Sequence, residues 1–130
     1  MKYSLLVMGS PSGSQSTLTA LNFAKAVIQK KHTLQRVFFY GDAVNVANSL
    51  SIAPRDEIDL TAQWQMLASE HQVDLVVCIA AAVRRGILDA GEAKRHEKAA
   101  DNLAEGFTLS GLGQLVEATM ISDRVITFSS

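Results

Sequence analysis

From Tyr3 to Met8 only Ser4 interrupts a run of apolar residues, and the run stops at Gly9-Ser10-Pro11-Ser12-Gly13. A short apolar run closed by turn residues predicts a strand buried on both faces. Ser14 then offers an N-cap, and Leu18, Leu21, Ala24 and Ile28 recur at helical spacing with Val27 widening the stripe, which predicts a helix over 15–31. Leu34 to Tyr40 is apolar and aromatic and predicts a second strand. Ala43 to Leu50 suits one or two helical turns, and Ser51 to Glu57, with Pro54, a loop. Leu60, Trp64, Leu67 and Ala68 predict a helix over 58–71, and Asp74 to Ala80 a third strand. The polar, alanine-rich stretch from Gly86 to Glu105 predicts a helix with a wet face. Phe107 to Leu109 predicts a short strand, Leu112, Leu115, Val116 and Met120 a helical face, and Arg124 to Phe128 a last strand.

Strands of the buried type alternate with helices along the whole chain. That alternation predicts an α/β fold, a three-layer α/β/α sandwich on a mostly parallel five-stranded sheet, flavodoxin-like in general architecture. In such sheets chemistry gathers beyond the carboxyl ends of the strands. Three segments are expected to meet there: Gly9 to Ser14, Tyr40 to Val44 and Ala80 to Gly86.

Composition narrows the picture. The chain has 130 residues, 48% of them hydrophobic and 19% charged, with two prolines, which suits a single domain over 1–130 with a real core. A formal net charge of −1 provides no electrostatic footprint for wrapping nucleic acid, so any RNA enters through another protein. One cysteine rules out an internal disulfide, a Cys-x-x-Cys pair and a cysteine-rich zinc site. The apolar run at the N-terminus is too short for a secretory signal, and none reaches the roughly 18 residues of a membrane span. A soluble cytoplasmic protein with no membrane contact is the expectation.

Cys78 lies near the carboxyl end of the third strand and is followed by Ile79-Ala80-Ala81-Ala82-Val83-Arg84-Arg85-Gly86. Free cysteine is often a small buried hydrophobe. Here, however, the thiol is expected near the functional edge, beside residues of little bulk. Arg84 and Arg85 follow, and a nearby cation or helix N-terminus favours the nucleophilic thiolate. The residues alone leave both readings open. Each arginine equally suits a solvated junction, for instance paired with Asp89. The loop Gly9 to Ser14 lacks the Lys-Ser/Thr ending of a P-loop and is not Gly-x-Gly-x-x-Gly, so a tight turn with an N-cap accounts for it, although its amides suit an anion. The glycines of Ser110-Gly111-Leu112-Gly113 suit a turn or close packing better than a cofactor. His32, His71 and His96 have no metal-ligand spacing on one helix, and no Gly-x-Ser-x-Gly elbow occurs.

Several segments taken together resemble a known family. They are Arg36-Val37-Phe38-Phe39-Tyr40 followed by Asn45-x-Ala47-Asn48, Cys78-x-Ala80-Ala81-Ala82-x-Arg84-Arg85-Gly86, Gly106-Phe107-Thr108-Leu109-Ser110-Gly111-Leu112-Gly113, and Asp123-Arg124-Val125. In combination, and over essentially the whole chain, they resemble the DsrE/TusD sulfurtransferases. The resemblance implies a DsrE-like fold and a cytoplasmic sulfur relay for 2-thiolation of the tRNA wobble uridine. The family cysteine falls on Cys78, which would accept persulfide sulfur from a TusA-like donor and pass it to a TusE-like acceptor, with Arg84 and Arg85 as supporting candidates. The resemblance further implies assembly with TusB-like and TusC-like subunits into a heterohexamer, a dimer of trimers, with tRNA met only indirectly. No organic cofactor or metal is required, because the moving sulfur is itself the bound group. Three other roles compete: a DsrE-like subunit of dissimilatory sulfur oxidation, a non-catalytic scaffold subunit with an inert thiol, and a flavodoxin-like module using Ser10 to Ser14 for a nucleotide or flavin.

Overall fold

The computed structural model describes residues 1–129. Its strands are β1 (Lys2–Val7), β2 (Thr33–Phe39), β3 (Asp74–Cys78), β4 (Phe107–Ser110) and β5 (Arg124–Phe128). Its helices are α1 (Ser16–Gln29), α2 (Leu60–His71), α3 (Ile79–Arg84), α4 (Ala90–Arg95) and α5 (Gly113–Ile121), with a 3-10 helix over Gly41–Ala47. The strands form one sheet in the order β4-β3-β2-β1-β5, and every neighbouring pair is parallel. All strands therefore end at the same edge, and the order steps from β1 through β4 in one direction before α5 carries the chain back to β5.

Strand alternation sorts the side chains into two layers. On one face Leu5, Val7, Val37, Phe39, Leu75, Val77 and Phe107 pack under α1 and α2, with Leu21, Ala24 and Trp64 fully buried against them. Phe39 anchors this layer, meeting Trp64 edge-on at 5.3 Å between centroids and Phe107 at 5.8 Å. The opposite face carries Ser4, Leu6, Arg36, Phe38, Asp74, Val76 and Cys78, and α5 packs across β2, β1 and β5 there. Arg36 fixes this assignment. Its guanidinium donates to the Gln114 carbonyl on α5 at 2.8 Å and to the carboxylates of Asp74 and Glu117 at 3.2 and 3.0 Å.

Two expectations change. β3 stops at Cys78 rather than Ala80, because Ile79 to Arg84 turn helical at once. The three alanines favour helix, and Gly86, at φ +74°, ends the segment as its amide reaches the Val83 carbonyl. The long helix expected over 86–105 contracts to Ala90–Arg95, opened by the Asp89 carboxylate accepting from the Glu92 amide at 2.8 Å. A polar segment without an apolar stripe has little to bury, so helix does not propagate through it. Asn102 organises the remainder instead. Its side chain accepts from the Leu88 amide and donates to Gly86 O and Asn48 Oδ1, all within 2.9–3.1 Å.

Candidate active site at the end of strand β3

Cys78 is the last residue of β3 and the N-cap of α3, with φ −59° and ψ 117°. Its alternation with Asp74 and Val76 turns its side chain toward the α5 face. Its register partner on β4 is Ser110, and its other neighbour, Tyr40, follows the β2 residue that pairs with Val77. Tyr40 is still extended, at φ −130° and ψ 157°. Tyr40, Cys78 and Ser110 thus form a row across three strands at the carboxyl edge. The thiol is buried, at 4% exposure, while Tyr40 is exposed and Ser110 half-buried.

The cover over Cys78 follows from the topology. β4 is an edge strand, whereas α5 lies over β2, β1 and β5. The connection Ser110-Gly111-Leu112-Gly113 must therefore cross β3 at its carboxyl end, on the face that holds the thiol. Arg36 holds the landing point through the carbonyl of Gln114 in the first turn of α5. The glycines of this crossing are not packing devices in the isolated chain. Neither has a left-handed φ, and a Cβ built on Gly111 or Gly113 meets nothing within 4 Å.

The backbones of the two arginines sit away from Cys78. Both lie at the far end of α3, six and seven residues after Cys78, about 9 Å along the axis. Arg85 is committed: it grips Asp42 of the 3-10 helix through Nε and Nη2 at 3.0 Å and donates to the Ala81 carbonyl at 2.9 Å. Arg84 is exposed and makes no ion pair among the described residues. The helix start at Cys78 comes before the arginines, not after them. The loop Gly9 to Ser14 is closed on itself. Ser10 Oγ accepts from the Gly13 amide, Ser14 Oγ from the Ser16 amide, and Thr17 Oγ1 donates to Gly9 O. This is the tight-turn reading of that loop.

One feature that the periodicity hid is the exposure of α5. Of the apolar face Leu112, Leu115, Val116 and Met120, only Leu115 packs against the core, together with Ala118, while Leu112, Val116 and Met120 are 50%, 58% and 80% exposed. Spacing in the sequence showed that these residues share a stripe but not which surface the stripe meets.

Comparison with known proteins gives the site its setting. The chain is 52% identical over 128 residues to a protein of Vibrio parahaemolyticus named sulfurtransferase TusD homolog, with 98% of each chain covered. It is 48% and 50% identical, over the same length and coverage, to proteins named sulfurtransferase TusD from Photorhabdus laumondii and Yersinia pestis. The crystal structure of the ychN protein from E. coli matches the fold with a TM-score of 0.79 at 22% identity, covering 98% of this chain and 99% of that one. The model of the DsrE/DsrF-like family matches residues 1–128, which span the whole sheet, the row at its carboxyl edge and the crossing above it, and the chain belongs to that family.

Proposed function

We propose that this chain is a sulfurtransferase that carries persulfide sulfur on Cys78, within one domain spanning 1–130. The observation that carries the reading is the position of the only cysteine: the end of a parallel strand, at the start of a helix, at the carboxyl edge of the sheet. Relatives named as sulfurtransferases over nearly the full length support it.

The chemistry needs no external oxidant. The Cys78 thiolate attacks the outer sulfur of a donor persulfide. A new S–S bond forms on Cys78 as the donor's S–S bond breaks, and the donor leaves as thiolate with the bonding electron pair. In the second half an acceptor thiolate attacks the outer sulfur, and Cys78 is the leaving group. A second thiol in the same chain would attack the persulfide and release its sulfur as sulfide; the sequence holds none.

On this reading the donor is TusA-like and the acceptor TusE-like, the relay serves 2-thiolation of the tRNA wobble uridine in the cytoplasm, and the chain works beside TusB-like and TusC-like subunits in a heterohexamer. The exposed apolar stripe of α5 supports work in an assembly. The formal charge of −1 supports indirect rather than direct contact with tRNA.

Burial of the thiol favours a second reading, a scaffold subunit with inert Cys78. Intact-mass analysis after incubation with a low-molecular-weight alkyl persulfide separates the two. The carrier reading expects one added sulfur, removed by reductant and absent from a folded Cys78→Ser variant. Sulfur retained by Cys78→Ser, or none on the native chain, rejects it.

A further inference from the structure

We propose that Ser110 donates a hydrogen bond to the outer sulfur of the Cys78 persulfide and so holds the loaded state. The proposal rests on the carrier reading of Cys78 and assigns a role to the Gly106–Gly113 segment, which that reading leaves unused.

The geometry comes from the sheet. Ser110 is the register partner of Cys78 across the parallel β3–β4 pair, which places both side chains on the same face, about 4.8 Å apart in strand spacing. Thr108 pairs with Val76, one full alternation further down, so Ser110 is the nearest hydroxyl on that side. The hydrogen bonds at this end of the sheet tie Arg85 to Asp42 and Ala81 and engage neither Ser110 Oγ nor Cys78 Sγ among the described residues. The two backbones stand one strand spacing apart, and the unloaded thiol makes no hydrogen bond to the hydroxyl. An added sulfur extends the side chain by about 2 Å, which lets the outer sulfur reach toward the hydroxyl. The hydroxyl therefore distinguishes the loaded carrier from the empty one.

The surroundings suit that task. Ser110 is half-buried on the edge strand, Thr108 beside it is exposed, and the next residue, Gly111, has nothing within 4 Å of a built Cβ. The β4 edge beside Ser110 is thus open to solvent on the side from which a visiting thiol would come. A hydrogen bond to the charged form favours the perthiolate anion over its protonated form. It also restrains the outer sulfur from leaving before an acceptor arrives.

The test uses the full chain, loaded with an alkyl persulfide, as wild type, Ser110→Ala, Ser110→Thr and Cys78→Ser. Mass analysis measures loading and lifetime, the near-ultraviolet absorbance of the perthiolate is titrated against pH, and alkylation of the unloaded thiol serves as control. Expected are a perthiolate midpoint raised by about one unit in Ser110→Ala, a tenfold change in that equilibrium, a shortened lifetime of the loaded state, restoration of both in Ser110→Thr, and unchanged alkylation of the empty thiol. Equal midpoints and lifetimes in wild type and Ser110→Ala overturn the role of Ser110 while leaving Cys78 as carrier. Failure of wild type to load overturns the carrier reading and this proposal with it. A change in empty-thiol alkylation that matches the change in lifetime assigns Ser110 to packing and also overturns the proposal.

Discussion

Arg36→Met removes the charged anchor of α5 and tests whether that helix and its leading crossing are the cover of Cys78. The guanidinium bond to the Gln114 carbonyl is a hydrogen bond from a charged donor, worth about 1.5–3 kcal/mol. The pairs with Asp74 and Glu117 add about 0.2–1 kcal/mol each at most, because those carboxylates are 65% and 54% exposed. Against this, Arg36 Nε is buried without a partner among the described residues, and its removal returns about 1 kcal/mol. Methionine keeps most of the apolar stem. The net loss is about 2 kcal/mol, which corresponds to a roughly 30-fold larger population of chains with α5 undocked. When closing is fast, alkylation of a buried thiol tracks that population. Iodoacetamide labelling of native protein, followed by intact mass, is therefore expected to speed up about 30-fold in Arg36→Met. It should rise no more than about threefold to fivefold in Glu117→Gln, where one exposed pair is lost. Arg36→Met that loses stability in urea without any change in labelling refutes the argument, because the thiol would then be covered by something other than α5.

Two further outcomes follow from the same geometry. A Cβ on Gly9 would fall 2.0 Å from Ser16 Oγ and 2.6 Å from Ser14 Oγ, so Gly9→Ala is expected to cost about 1–3 kcal/mol by urea unfolding, whereas Gly113→Ala, in open space at the start of α5, should be neutral or stabilise by up to about 1 kcal/mol. Comparable losses at both sites would contradict the packing described. Arg85→Gln breaks an exposed tie to Asp42 and should cost under about 1 kcal/mol while leaving persulfide loading of Cys78 at the wild-type level; a tenfold fall in loading would instead make Arg85 part of the transfer chemistry.

Alternating apolar runs and helical stripes determined the layers of this protein. The runs Tyr3–Met8, Leu34–Tyr40 and Asp74–Ala80 read as buried strands because a parallel sheet covered on both faces needs near-continuous apolar sequence, and each supplies a strand of the sheet, the last only as far as Cys78. The same pattern set Cys78 at a strand end, facing the edge where parallel strands release their loops. Tertiary structure alone decided what surrounds it. The switch from β3 to α3 falls within Val-Cys-Ile-Ala-Ala, where a short apolar run has no period to distinguish strand from helix. The pairing of Cys78 with Ser110, and the crossing of Gly111 and Leu112 above it, join residues more than thirty positions apart, through strand order that no local pattern encodes. The stripe Leu112-Val116-Met120 is apolar in the sequence and open in the fold, because helical spacing marks residues that share a face but not the surface which that face meets.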